Sequence, residues 1–329
     1  MNEIRPSTKL KVVSVHKLGD TVCWRKYFWR RFLNLETVNF NKNFWWGGVL
    51  GEGFEQMLLG NKKWKSKMLA EDKKRCKGQR ITEEMKSELD VCRRLIEVQL
   101  ECVQKQPIYE TLKLTESQVK FAVPLDCGVT FVGTKDGEGE DGGKRALFEI
   151  KTASQVNQAY LDALRYGKQV NGYAYSDVKM GRKDRATVCR ACVFVKPGKW
   201  IKKGQTVDEF VDEIRADICG GIGWKGKTLT ASPQKYYSFH RFSLGQMAVK
   251  EVGCDIEQET ADLLSKYERA KDERQLMDPH YWPKRENKCH EYSGCEFQRL
   301  CLAGPSWEAA LNGYKQRTMM YDLEEEELK

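Results

Sequence analysis

Apolar residues recur every three or four positions between residues 81 and 104, with Met85, Leu89, Cys92, Leu95 and Ile96 along one side, and this predicts a single long helix. Residues 119–123, Val-Lys-Phe-Ala-Val, and 148–152, Phe-Glu-Ile-Lys-Thr, alternate instead and predict strands. The near-continuous apolar run 187–195 predicts a buried strand, and 235–242 another. Helical periods cover 22–35, 156–175, about 207–218 and 257–274, and a glycine-rich helix begins near Trp45 and Trp46. The glycine-rich, charged stretch 135–144 predicts a mobile hairpin tip. Helices and strands alternate in this way through the chain, so the expected fold class is α/β.

The strand at 148–152 carries the first chemistry. Its period puts Glu149 and Lys151 on one face while Phe148 and Ile150 point into a core. Asp126 ends the preceding apolar run, and a hairpin is expected to bring it beside Glu149. Two hard oxygen ligands and one lysine suit a magnesium or manganese ion at which phosphodiesters are hydrolysed. The tip contains Gly137-x-Gly139-x-x-Gly142, but it is acidic and leads into a strand, so it does not read as a dinucleotide site. Arg145 stands where a phosphate-binding loop needs Ser or Thr after Lys144.

Asp126, then Glu149-x-Lys151, then Gln169-x-x-x-Tyr173 on a helix resembles the PD-(D/E)xK nuclease superfamily in its RecB-like branch. The resemblance implies a restriction-endonuclease-like mixed central sheet flanked by helices, with Asp126, Glu149 and Lys151 as catalytic trio and Gln169 and Tyr173 positioning the DNA strand. It implies Mg2+ or Mn2+ held by Asp126, Glu149, the Ile150 carbonyl and Glu52. The last is a departure: aligning Gly48 with the family's Gly-x-x-x-His pattern puts Glu52 where a metal-binding His usually stands.

Charge adds a polyanionic partner to this picture. The 329 residues contain 56 Lys plus Arg against 47 Asp plus Glu, a mild excess that is unevenly spread. Residues 61–80 hold nine basic residues against Glu71 and Asp72, and Lys62, Lys63, Lys65 and Lys67 are the candidate DNA-binding set. The interleaved aromatic and basic residues of 22–35 read either as a single-strand-binding surface or as an amphipathic core helix. No run approaches eighteen apolar residues and 1–20 lacks a signal-peptide core, so the expectation is no membrane and a cytoplasmic setting, in a bacterial or phage-infected cell.

Twelve cysteines in such a compartment do not read as a disulfide framework. Cys189 and Cys192 lie within a predicted strand and read as core thiols. Cys289, Cys295 and Cys301 are evenly spaced around Gly294 and suit a soft metal or an iron–sulfur cluster, with Cys23 as candidate fourth ligand. One early and three late cysteines resemble the iron–sulfur subset of RecB-like nucleases, AddB and the CRISPR-associated exonucleases among them. That resemblance implies a 4Fe-4S cluster joining the N- and C-terminal segments. A zinc site of Cys289, Cys295, Cys301 and either Cys23 or His290 is the alternative.

The expected layout is an N-terminal helical region at 1–110, a nuclease core at 111–245, a C-terminal helix and cysteine motif at 246–315, and an acidic tail at 316–329. The expected function is a metal-dependent DNA exonuclease acting on single-stranded DNA or free ends in recombination, repair or phage DNA processing, with a recombination or annealing protein as possible companion. A structure-specific endonuclease, or a cleavage-deficient binding module with a zinc staple, is the competing reading.

Overall fold

The alternation at 144–153 divides the molecule into two layers. In a computed structural model describing residues 9–285, 287, 289 and 295–316, this segment is strand β5 (Lys144–Ala153) of a six-stranded mixed sheet. Ala146, Phe148 and Ile150 join one core, built with helices α3 (Lys42–Leu58), α5 (Glu83–Gln104) and α9 (Val207–Cys219). Leu147 joins the other, with α8 (Lys168–Lys179) and α10 (Gln246–Glu268), while Ala153 packs beneath α7 (Gln158–Tyr166). Each large apolar side chain so buried contributes about 1.5–3 kcal/mol.

The sheet order is β1 (Val12–Val13), β4 (Thr130–Asp141), β5, β6 (Val188–Val195) and β9 (Tyr237–Ser243), with β3 (Leu112–Pro124) on the outer side of β4. β4 pairs antiparallel with β5 only from Gly137 to Asp141, and its first residues pair in parallel with β1. Between these contacts β4 and β5 diverge. The candidate site lies at that fork.

The stretch 135–144 is therefore not a hairpin tip. Most of it completes β4, and the turn is only Gly142-Gly143, at φ 59° and 75°, where glycine avoids the Cβ clash of left-handed backbone. Its charges pair inward: Lys135 is fully buried and bonds Glu138 (2.5 Å) and Asp177 of α8 (2.6 Å), while Asp141 takes Arg190 and Arg241. Residues 156–175 form α7 and α8 rather than one helix. They break at Gly167, where a Cβ would meet the Ala163 carbonyl oxygen at 2.2 Å. The helix expected at 257–274 starts at Gln246 and ends at Glu268, with α11 (Glu273–Met277) after it.

The segment 22–35 forms α2 (Trp24–Tyr27) and a π-helical turn, Phe28–Phe32. Its rings are core, not a stacking surface. Tyr27 and Phe28 stack on Trp282, with centroids 5.6 and 6.1 Å away, and Arg30 and Arg31 bond Asp20. The two ends of the described chain meet here. Arg25 donates from its backbone to Pro283 O and from Nε to Trp282 O, and β2 (Leu35–Thr37) pairs with β10 (Tyr314–Gln316). Among the described residues, no helix is long and apolar enough to cross a membrane.

Candidate active site

At the β4–β5 fork, the next backbone pairing after Gly137 and Phe148 is replaced by a side chain: the Ile150 amide donates to Asp136 Oδ2 at 2.9 Å. This bond fixes the Asp136 carboxylate between the strands. Glu149 lies beside it, 1 % exposed, ion-paired with Lys151, and no hydrogen-bond donor among the described residues reaches its second oxygen. Burial, with Asp136 nearby, pushes the Glu149 carboxyl up to about 7 although Lys151 opposes the shift. Burial works against the Lys151 ammonium, but Glu149 and Asp136 outweigh it and its pKa is raised.

A third carboxylate comes from α3. Trp45, Trp46, Val49, Leu50 and Phe54 fix the rotation of this helix by entering the core, and Glu55 is turned toward Asp136. Glu55 is 5 % exposed and accepts from Gln118 Nε2 at 2.8 Å, and burial pushes its carboxyl up to about 8, with Asp136 adding to the shift. Glu55 and Glu149 thus both feel Asp136. Two strongly buried carboxylates with raised pKa values around a third make an arrangement that divalent charge would relieve.

The structure brings Glu149, Lys151, Gln169 and Tyr173 together. Gln169 Nε2 donates to Tyr173 Oη at 2.9 Å on α8, and Tyr173 is buried within the field of Glu149 and Asp136. It does not bring Asp126 there. That residue lies in the turn between β3 and β4, with its side chain 86 % exposed, bonded to Lys179 at 2.7 Å, and its amide donates to Glu257. Asp126 precedes β4, and Asp136 is six residues beyond the Pro124↔Thr130 pair, about 20 Å along the strand. Asp136 occupies the place expected for Asp126.

Glu52 stands one turn before Glu55 and faces α4 (Trp64–Cys76). Burial and Glu71 raise its pKa, with Lys67 and Lys74 opposing. Ile150 keeps its side chain in the core and its amide on Asp136. Lys62, Lys63 and Lys67 are exposed near the start of α4, but Lys65 is held by Glu101 at 2.5 Å. Sequence reasoning missed Asp136, Glu55 and two further neighbours. Tyr160 of α7 lies within the field of Lys151 and Glu149, and His16 of α1 (Val15–Asp20) has its pKa lowered by burial, Arg31 and Lys151.

Cys23, Cys289, Cys295 and Cys301 are brought to one place where the chain ends meet. Burial raises the Cys295 thiol, with Cys289 and Cys23 adding to it. Burial also raises Cys301, with Cys295 and Cys23 adding to it and the Trp29 indole, donating to its Sγ at 3.2 Å, opposing. The Cys295 amide donates to the Cys289 carbonyl at 3.0 Å. Cys295 lies within the field of Cys289 and Cys23, Cys301 within that of Cys295 and Cys23, and Arg25 within that of Cys301 and Cys23, and four thiols are the donor type a soft metal takes. Among the described residues, no three His, Cys, Asp or Glu side chains stand at metal-coordinating distance, here or at the fork. His290 and the tail beyond 316 lie outside the described residues. Cys189 and Cys192 are wholly buried in β6.

No family model matches the chain, and no curated protein matches it. Solved structures similar to it include SSO0001, at 14% identity and TM-score 0.23, covering 56% of this chain and 63% of that one. This chain therefore spans less than two thirds of SSO0001. Another is LHK-Exo in complex with dAMP, at 12% identity and TM-score 0.28, covering 71% and 98%. Likeness at these scores carries no argument about function, which rests on the geometry at the fork.

Proposed function

We propose that this protein is a metal-dependent deoxyribonuclease of exonuclease type, hydrolysing phosphodiesters at the β4–β5 fork. The observation that carries the reading is the pair of buried carboxylates, Glu55 and Glu149, on either side of the half-buried Asp136 and beside Lys151. Asp136 and Glu149, with Glu55 and the Ile150 carbonyl, would hold a magnesium or manganese ion, and Glu52 would serve as an outer carboxylate. Such an ion, when bound, would polarise the scissile phosphate and lower the pKa of its water.

The chain's own groups do the rest. Glu149 and Asp136 keep the Lys151 ammonium protonated, so Nζ donates to a phosphate oxygen or to the attacking water rather than removing its proton. The Gln169–Tyr173 bond fixes a polar pair on α8 against which a strand can be oriented.

Cys23, Cys289, Cys295 and Cys301 would hold a 4Fe-4S cluster, or zinc in the alternative, as a crosslink between the chain ends. The test is purified protein with magnesium on end-labelled single-stranded, double-stranded and closed circular DNA. Metal-dependent release of nucleotides from ends, with the circle intact, supports the proposal. Cutting of the circle would make the protein an endonuclease, and no cleavage of any substrate would overturn the nuclease reading.

A further inference from the structure

Beyond the C-terminal end of β6 the chain forms a lobe whose exposed face is aromatic and cationic. Trp200 is 80 % exposed and Ile222 is 74 % exposed, the first in the loop before α9 and the second in the small hairpin of β7 (Gly221–Ile222) and β8 (Thr228–Leu229). The Trp224 ring joins the two segments. Lys202 Nζ lies 5.2 Å from its centroid and Lys225 Nζ 4.4 Å. The two segments, 196–207 and 220–235, contain seven lysines and no carboxylate. Asp217 and Glu213 of α9 hold Lys199 and Lys202, whereas Lys225 and Lys227 are exposed.

The lobe leaves the sheet beside the fork. The Lys196 amide donates to the Ala153 carbonyl at 3.0 Å, two residues past Lys151 on β5. The Lys196 ammonium reaches Asn43 at the start of α3, next to Phe44, whose ring is 69 % exposed. Chain geometry keeps Trp200 within about 25 Å of Lys151, a span of about seven stacked nucleotides at 3.4 Å each.

We infer that this lobe is a stacking platform for single-stranded nucleic acid, which it feeds to the fork. The inference rests on the nuclease reading and adds its substrate class. An exposed indole can stack only on a base already free of a duplex, and lysines beside it follow the phosphates. A protein partner fits less well, because interface cores are depleted in lysine whereas the Trp224 ring has Lys202 and Lys225 against it and Trp200 follows Lys199 in the chain.

The test is binding of fluorescein-labelled dT20 and of a 20-base-pair duplex in EDTA, with wild type, Trp200→Ala, Trp200→Phe and Lys225→Ala/Lys227→Ala. Trp200→Ala should weaken dT20 binding about tenfold, equivalent to about 1.4 kcal/mol, and change duplex binding less than twofold. Trp200→Phe should keep most of the affinity, and the double lysine variant should lower the salt slope for dT20 by about 1.4. Unchanged dT20 affinity in Trp200→Ala, or equal loss for dT20 and duplex, overturns the platform, as does loss of self-association instead of DNA binding. Magnesium-dependent cleavage measured in parallel separates the two claims. Cleavage without a Trp200 effect removes the platform alone, and Trp200-dependent binding without cleavage removes the nuclease reading alone.

Discussion

Replacing Glu55 and Glu149 together by Gln should remove a pH-dependent instability of the metal-free protein. Both carboxyls are raised by folding, to about 8 and about 7 from an ordinary value of 4.5. The folded protein then holds more protons than the unfolded chain across this window, so stability falls as pH rises through it. From pH 6 to pH 8 the unfolded groups are ionised throughout, while folded Glu55 goes only to half ionisation. The resulting loss is about 2 kcal/mol for Glu55 and about 1 kcal/mol for Glu149, shared through Asp136 as a property of the cluster. For a chain of this length a loss of about 3 kcal/mol lowers Tm by about 4 °C.

The assay is thermal unfolding in EDTA at pH 6, 7 and 8. Gln118 still has an oxygen to donate to in Glu55→Gln, so the variant keeps that bond. His16 and His240, whose pKa values are lowered, change stability in the opposite direction near pH 6.5. The comparison is accordingly between wild type and the double variant, in which the histidine contribution cancels. Wild type should lose stability with pH and regain it with magnesium, and the variant should show neither effect. An equal pH slope in both proteins would refute the claim that the two carboxyls are buried against Asp136.

Lys135→Ala would leave Glu138 and Asp177 buried without their shared ammonium, and should destabilise the fold by about 3–5 kcal/mol in urea unfolding at neutral pH. A loss below 1 kcal/mol would mean that Arg145 and Arg182 satisfy both carboxylates alone. Changing Cys23, Cys295 or Cys301 to Ser should lower bound metal by elemental analysis and increase protease sensitivity, because metal-binding free energy would then be lost from folding. Cys189→Ser and Cys192→Ser should leave metal content unchanged, and equal loss in both sets would remove the staple.

What the sequence revealed depended on how locally each feature is specified. The Phe148–Thr152 alternation decided by itself that Glu149 and Lys151 share a face, and the four-residue spacing of Gln169 and Tyr173 put them one helical turn apart. Asp136 was hidden because Lys135-Asp136-Gly137 has the composition of a turn. Lys135 is paired with Asp177 of α8 and Asp136 is held by the Ile150 amide of β5, partners that no local pattern displays. Glu52 and Glu55 are both on α3, and the choice between them depends on helix rotation. The burial of Phe54 and Trp45, and the approach of Gly47 to Thr152 of β5, fix that rotation. The aromatic residues of 22–35 could be read as exposed or buried until Trp282, some 250 residues later, supplied the ring they pack on.

Asp136→Asn and Asp126→Asn compared side by side, in magnesium-dependent nucleotide release from end-labelled DNA, test the central claim most directly. The account predicts that Asp136→Asn loses cleavage while remaining folded, and that Asp126→Asn, altered only at an exposed turn, cleaves like wild type. An active Asp136→Asn with an inactive Asp126→Asn would contradict it.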